Sequence, residues 1–110
     1  MGKIEKYEAA ILQVFNVFEH LGYAPDGQFI TDKEQHYYQF LLPGWSDQSN
    51  YNLRVMLHFQ IKPDGKVWIW ENKTAHDVAE MLIEQGVEKT DIVLAFIPEY
   101  VRQHTGYAVA

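Results

Sequence analysis

The feature that most constrains the fold of this chain is a long β-hairpin, which the sequence NLRVMLHFQIKPDGKVWIWEN predicts over residues 52–72. Along its first strand the side chains alternate with the period of two that a half-buried antiparallel strand requires. One face is predicted to carry Val55, Leu57, Phe59 and Ile61, and the other Met56, His58, Gln60 and Lys62. Pro63-Asp64-Gly65 joins the strands, because Pro63 presets φ for a type I turn and Gly65 accepts a positive φ.

The return strand, residues 66–71, is apolar on both faces. Trp68 and Trp70 share one face, and Val67 and Ile69 share the other. A helix can cover one face of such a central strand, whereas the second must meet another layer, another chain or a ligand. A homodimer is one such arrangement, since symmetric dimers are the commonest oligomers. Left exposed, the two indoles would form an apolar patch of the kind that marks interaction sites.

Size, composition and charge narrow the class of protein. The 110 residues are expected to form a single domain over residues 1–110. The chain has no cysteine, which excludes disulfides, thiolate zinc sites and a cysteine nucleophile. Without an apolar run of about 20 residues or a signal-peptide pattern, it is expected to be cytoplasmic and not bound to a membrane. The net charge of -6, with nine scattered basic residues, favours a protein partner, particularly a basic one, over duplex DNA.

Periodicity and turn residues predict the elements before the hairpin. Apolar residues at steps of three and four predict an N-terminal helix that ends at Gly22: Ile4, Tyr7, Ile11, Val14, Phe15, Phe18 and Leu21. After a turn at residues 24–27, strands are predicted over Gln28–Asp32 and residues 36–42. Pro43-Gly44 is expected to end the second strand. In the polar loop that follows, Trp45 is either a lid over the sheet edge or a binding residue, and the lid is favoured.

The part of the chain after the hairpin predicts a second helix over residues 75–85. Thr74 is its expected N-cap, with Asp77 in a capping-box-like pair, and Gly86 ends it. The apolar run 92–96 is either a buried strand or a short helical turn. A last helical segment is predicted over residues 99–105, followed by a docked apolar tail. The predicted fold is α+β: an N-terminal helix packed on an antiparallel sheet of about four strands, followed by one helix and a short C-terminal helical segment.

The sequence carries none of the usual spacing motifs of catalytic or cofactor sites. It lacks a glycine-rich phosphate loop, a nucleophile elbow and an HExxH pair. Its five histidines are not spaced as pairs of metal ligands: His20, His36, His58, His76 and His104. Arg102 and Tyr107 would suit a tyrosine recombinase only with further cations around the phosphate. We therefore predict a protein that is not an enzyme and that needs no cofactor or metal.

Three segments resemble the XisI family, whose members are small cyanobacterial proteins named fdxN element excision controlling factors. These segments are DGKVWI at residues 64–69, GV at 86–87 with DIVLAF at 91–96, and above all RQHTGYAVA at 102–110. The similarity includes Tyr38, Gly44-Trp45 and His58, and so runs over nearly the whole chain. The sequence departs from the family pattern at Ile97, where the pattern has a histidine, and at Trp70, where it has a polar residue.

The resemblance implies a regulatory, accessory protein in the programmed DNA excision of heterocyst development, with a role in control rather than in cleavage. Relatives commonly occur with a second factor, XisH, whose family is similar to restriction-endonuclease-like folds. We therefore predict that the chain binds an XisH-like protein. The candidate contact residues are Trp45, Trp68, Trp70, Arg102, Thr105 and Tyr107.

Two other functions stay open on the sequence alone. The first is an excisionase-like architectural factor that binds DNA directly, for which the hairpin offers Lys62, Lys66 and Lys73. The second is a small ligand-binding domain. Its pocket would lie beneath Trp45, near His36, His58 and Arg102.

Overall fold

A five-stranded sheet forms the centre of the protein, and two helices share one core with it. This computed structural model describes residues 2–22 and 26–110. The elements are α1 Lys3–His20, β1 Gln28–Asp32, β2 Tyr37–Trp45, β3 Tyr51–Ile61, β4 Val67–Asn72, α2 Val78–Glu84, β5 Ile92–Leu94 and α3 Glu99–Arg102, with a 3-10 turn at Lys89–Asp91. The strands lie in the order β1-β2-β3-β4-β5. The predicted α+β fold is confirmed.

The sheet has five strands rather than about four, because the apolar run that begins at Ile92 forms β5. This strand pairs in parallel with β4, whereas the other neighbouring strands are antiparallel. A parallel connection needs a crossover, and α2 lies within it. The sheet is therefore mixed, not wholly antiparallel. The predicted turn at residues 24–27 includes Ala24 and Pro25, which lie outside the described residues.

The predicted hairpin is confirmed in β3 and β4. Gly65 has a φ of +89°, the left-handed region that the turn requires. Its backbone N–H donates to the carbonyl oxygen of Lys62 at 2.8 Å, and the Lys62 N–H donates to the carbonyl of Lys66 at 3.0 Å. The Asp64 carboxylate accepts from the Lys66 N–H at 3.0 Å. These bonds fix the register of the two strands at the turn.

Two β-bulges break the predicted alternation. Between β2 and β3 the pairing shifts after Phe40, so that Met56 has no cross-strand partner, and between β3 and β4 the extra residue is Trp70. Met56 is consequently buried beside Leu57, with only 7% of its surface exposed. Val55 instead faces away from the core. The prediction that Val55 shares the face of Leu57, and that Met56 lies opposite, is therefore wrong.

The apolar stripe of α1 packs against the sheet as predicted. The buried residues of the stripe are Tyr7, Ile11, Val14, Phe15 and Phe18. The Phe15 ring lies 5.2 Å from that of Phe29 and 5.8 Å from that of Phe59, distances typical of favourable aromatic pairs. Leu21 follows the end of α1 and is 49% exposed, so it is not part of the stripe. Over the described residues, no helix combines the length and the apolar character needed to cross a bilayer.

The helix α2 begins later than predicted. Its N-cap is Asp77, whose carboxylate accepts from the Glu80 N–H at 3.1 Å, so residues 75–77 precede the helix. Thr74 instead stabilises the preceding turn, because its hydroxyl donates to the Asn72 side-chain oxygen at 2.7 Å. The prediction of Thr74 as the N-cap is therefore wrong. Gly86, with a φ of +99°, follows the helix as predicted.

Arg102 makes several of the hydrogen bonds that hold the C-terminal segment in place. Its guanidinium donates to four backbone carbonyls, those of Leu94 (3.2 Å), Ala95 (3.3 Å), Ile97 (2.9 Å) and Val109 (3.2 Å). The tail also meets the edge of the sheet, since the Ala108 N–H donates to the Ile92 carbonyl at 2.9 Å. The predicted docking of the tail is confirmed. The helix α3 spans only Glu99–Arg102, however, and is shorter than the predicted 99–105.

A buried tyrosine links α1 to the 3-10 turn that precedes β5. The Tyr7 hydroxyl donates to Asp91 at 2.6 Å, and the Lys3 ammonium lies 3.1 Å from the same carboxylate oxygen. Burial and the bond to Asp91 raise the pKa of Tyr7 to about 12. Burial would raise the pKa of Asp91, but its bonds from Tyr7 and Lys3 outweigh this effect and lower that pKa. The carboxylate therefore stabilises the fold in its ionised form.

Replacing Arg102 by lysine tests the role of the guanidinium in holding the C-terminal segment. Lysine keeps the charge but cannot bond four carbonyls from a planar fork. We expect Arg102→Lys to lower the free energy of unfolding by about 1–3 kcal/mol. Hydrogen exchange should accelerate at residues 105–110 while the amides of β2 and β3 remain protected. Arg54→Lys, at an exposed position in β3, is the matched control. Unchanged exchange at residues 105–110 in Arg102→Lys would contradict this role.

Replacing Tyr7 by phenylalanine tests the bond to Asp91. A lowered folded-state pKa contributes stability above the unfolded pKa, and this stability is lost as the pH falls through the folded pKa. Tyr7→Phe should therefore lower the unfolding free energy by about 1.5–3 kcal/mol at neutral pH, and by progressively less below about pH 4. Urea unfolding measured across that range gives both values. Tyr100→Phe alters a side chain that is 74% exposed, so it should change neither the unfolding free energy nor its dependence on pH. A difference that stays constant with pH would rule out the carboxylate as the partner.

Candidate functional site

The face of the sheet opposite α1 and α2 is only partly covered. The C-terminal segment covers it at one edge, where Arg102 lies over Trp68 with its guanidinium carbon 5.6 Å from the ring centroid. Cross-strand partners point to the same side of a sheet, so the pairing assigns the rest of this side to three strands. We call it the open face. It consists of Tyr37, Gln39, Leu41, Pro43 and Trp45 of β2, Tyr51, Leu53, Val55, His58 and Gln60 of β3, and Trp70 and Glu71 of β4.

Trp68 and Trp70 stack side by side at the covered edge of this surface. Their ring centroids are 5.3 Å apart, with an angle of 27° between the planes. The Lys62 ammonium lies 3.7 Å from the Trp68 centroid and 5.8 Å from that of Trp70. Trp68 is thus half-buried and carries cations on its ring, whereas Trp70 is 41% exposed. The two predicted residues therefore differ in their environment, and Trp70 is the accessible one.

Hydrogen bonds fix the orientation of the side chains next to Trp70. The Trp70 indole N–H donates to the Gln60 side-chain oxygen at 2.9 Å, and the Gln60 amide donates to the Tyr37 hydroxyl at 3.2 Å. In a second pair, the Gln39 amide donates to Nδ1 of His58 at 2.9 Å. Burial lowers the pKa of His58, which favours the neutral ring that this bond requires. The surface is thus ordered before any partner arrives.

A depression of about 490 Å³ lies on the open face beside Trp70, and we call it the Glu71 pocket. It is lined by Tyr37, Val55, His58, Gln60, Trp70 and Glu71. Its walls are aromatic, since the rings of Tyr37 and His58 meet edge-on at 5.8 Å. Within the described part of the chain, no three His, Asp or Glu side chains lie together so that they could hold a metal ion. The pocket has the chemistry of a recognition surface, with aromatic walls and one carboxylate.

Trp45 lies at the far end of the open face, on a two-stranded arm. The pairing of β1 stops at Leu41, so β2 and β3 continue beyond it and pair with each other up to Trp45 and Tyr51. These two rings pack at 5.2 Å, and Trp45 is 65% exposed. The prediction of Trp45 as a lid is therefore wrong, because Pro43 does not end β2. Pro43 is tolerated in β2 because it lies beyond the part of the strand that pairs with β1, so it need not donate a backbone hydrogen bond to β1.

Thr105 and Tyr107 lie apart from the open face. The Thr105 hydroxyl donates to the Arg102 carbonyl at 2.7 Å and accepts from the Tyr107 N–H at 3.1 Å, so it closes the turn after α3. Tyr107 lines a cavity of about 280 Å³ on the opposite side of the sheet, together with Ile69 and Val78. Burial and the nearby carboxylates of α2 raise its pKa.

The structure thus divides the six candidate residues into three groups. Trp68, Trp70 and Arg102 lie together, although Arg102 donates to backbone carbonyls of its own chain. Trp45 shares their side of the sheet but lies roughly 20 Å away along β3 at about 3.3 Å per residue. Thr105 and Tyr107 belong to the C-terminal segment and its cavity.

Sequence reasoning missed the polar residues of the Glu71 pocket as site residues. Gln60 was within reach, because counting back from the turn at Gly65 places it opposite Trp68. Tyr37 and Glu71 could not be identified from the sequence. The position of Tyr37 depends on the register of β2 against β3, and that of Glu71 depends on the bulge at Trp70.

Comparison with known proteins gives a consistent result. A family model described as XisI protein matches residues 1–109. A solved XisI-like protein from Anabaena variabilis ATCC 29413 is 35% identical, with a TM-score of 0.84 over 99% of this chain and 100% of that chain. The fdxN element excision controlling factor XisI from the same organism is 26% identical, with the same TM-score and coverage. No curated protein matches the sequence. The resemblance seen in residues 102–110 is thereby confirmed, and the chain belongs to the XisI family.

Proposed function

We propose that this protein is a non-catalytic accessory factor that controls the excision of a DNA element by binding a protein partner in the cytoplasm. Its family membership supports a role in control, since one relative is named an excision controlling factor. The open face is the observation that carries the proposal. A sheet face that is exposed over most of its length, and that is lined by ordered aromatic residues, is typical of a protein interaction site.

Exposed apolar side chains lie at both ends of the open face. Its exposed members are Tyr37, Trp45, Tyr51, Leu53 and Trp70. Between the two ends lie the half-buried Leu41 and Val55, which face each other across β2 and β3. The surface from Trp45 to Trp70 is therefore long enough to meet a folded protein rather than a small ligand alone.

Two of the three lysines that the hairpin offers to DNA have partners within the chain, and the third, Lys73, is exposed. Lys62 lies over the Trp68 ring. Lys66 donates to the carbonyl of Ala110 at 2.8 Å and lies 3.8 Å from the Asp64 carboxylate. Both are thus engaged within their own chain, whose net charge is -6. Direct DNA binding needs basic groups that displace counterions from phosphates, so the geometry favours a protein partner over DNA.

An XisH-like protein is the partner that we propose. The similarity to the XisI family implies such a pair, which would act in the excision programme of heterocyst development. In this arrangement the partner handles the DNA, and the present protein controls it by covering or positioning its surface. The homodimer expected from the doubly apolar β4 stays a prediction. If it uses the open face, it competes with the partner.

Removing the Trp70 side chain tests the proposed interface. Tryptophan is among the residues that most often dominate an interface, with contributions of about 2 kcal/mol or more, so Trp70→Ala should weaken binding to the XisH-like protein by about 30-fold or more. Isothermal titration calorimetry with the two purified proteins measures the dissociation constant. Tyr100→Ala removes an exposed aromatic ring from α3, outside the open face, and is the matched control.

Three results of this experiment are informative. Weaker binding of Trp70→Ala alone supports the open face as the interface. Equal binding of Trp70→Ala and wild type would place the interface elsewhere. Absence of any association between the wild-type proteins would refute the pair itself. Light scattering of the protein alone, over a range of concentrations, tests the homodimer in the same preparation.

A further inference from the structure

We infer that the Glu71 pocket is a receptor for an arginine side chain presented by the protein partner. The inference deepens the proposed function and rests on it in one respect, namely that the occupant belongs to a protein. The surroundings of Glu71 give the pocket its chemistry.

Glu71 is distinguished by its lack of a partner. Four carboxylates of the chain are half-buried: Glu8, Asp32, Glu71 and Asp91. Three of them are satisfied, Glu8 by the Tyr38 hydroxyl, Asp32 by the backbone N–H groups of Glu34 and Gln35, and Asp91 by Tyr7 and Lys3. Among the described residues, none donates a hydrogen bond to the Glu71 side chain or forms an ion pair with it. Since Glu71 also lines the pocket, a cation from outside can reach its carboxylate and form a charge-assisted hydrogen bond with it.

The walls of the pocket favour a planar cation. Trp70 presents its ring at the surface, and its indole N–H is already bonded to Gln60, so the ring is held in place. Tyr37 presents a second exposed ring on the other side of Gln60. A guanidinium stacks on such rings while its N–H groups bond a carboxylate in pairs, whereas an ammonium is a compact, strongly hydrated charge.

The neighbouring tryptophan shows that this surface stabilises cations. Lys62 places its ammonium 3.7 Å from the Trp68 centroid. The same ammonium is 5.8 Å from the Trp70 centroid, but among the described residues no lysine, arginine or histidine forms an ion pair with Glu71. The overall charge of -6 further favours a basic group from outside. The partner residue that fits the pocket is therefore an arginine, stacked on Trp70 and bonded to Glu71.

A short peptide isolates this receptor from the rest of the interface. The nitrogen-15 labelled full chain is titrated by NMR with acetyl-Gly-Arg-Gly-amide and, separately, with the same peptide carrying citrulline, which is nearly isosteric but neutral. We expect the arginine peptide to shift the Trp70 indole and Glu71 amide signals. The citrulline peptide should bind at least about ten-fold more weakly. Glu71→Gln should reduce binding of the arginine peptide by a similar factor. Since Glu71 has no partner among the described residues, this variant should remain folded.

Glu84→Gln, at an exposed carboxylate at the end of α2, is the matched control and should bind the arginine peptide as the wild type does. Absence of shifts at Trp70 and Glu71, equal binding of the two peptides, or unchanged binding by Glu71→Gln would each overturn the inference.

The same variants separate this inference from the proposed function. If the XisH-like protein binds wild type and Glu71→Gln equally well, the receptor is overturned and the pair stands. If the arginine peptide binds at Glu71 while the XisH-like protein does not associate, the receptor stands and that pairing fails. A loss of affinity for both the peptide and the protein in Glu71→Gln supports the two together.

Discussion

The arrangement of this protein depends on the two bulges of its central strands. In a regular hairpin Trp70 would lie opposite His58, and Glu71 would point into the core. The extra residue at Trp70 brings Glu71 opposite His58 instead and keeps its carboxylate on the open face. Burying that carboxylate unpaired would cost several kcal/mol. The bulge at Met56 has the complementary effect, since it buries Met56 beside Leu57. The bulges thus decide which residues build the core and which build the site.

Arg102 sets the limit of the open face. By bonding four carbonyls it holds the C-terminal segment over the Trp68 end of the sheet. Trp68 is therefore part of the internal packing, while Trp70, stacked upon it, is accessible. The guanidinium thus influences the site indirectly, by holding the C-terminal segment in place. This explains how Arg102, which lies in the segment that resembles the XisI family, can affect the open face without contacting a partner.

The sequence predicted the elements whose signals are local. The stripe of α1, the turn at Gly65 and the bounds of β1 follow from periodicity or from single residues, and they were confirmed. The failures have non-local causes. Both Thr74 and Asp77 can cap a helix, and the position of Asn72 decides between them. Pro43 is compatible with β2 only because β1 has already ended. The run beginning at Ile92 has no period and becomes a strand because β4 offers it an edge.

The candidate site shows the same division. Alternation alone identified Trp68 and Trp70, but only the register brings Tyr37 and Gln60 beside them. Hydrogen bonds within the protein therefore hold the rings of Tyr37 and Trp70 in place. Binding a partner then loses less side-chain entropy, because these rings are already ordered. The arm that carries Trp45 is a two-stranded extension of the same sheet, and the Asp47 carboxylate closes its turn by accepting from the backbone N–H groups of Ser49 and Asn50. Only two strands support Trp45, whereas Trp70 lies where the sheet is wider, so the two ends of the open face differ in how firmly the sheet supports them.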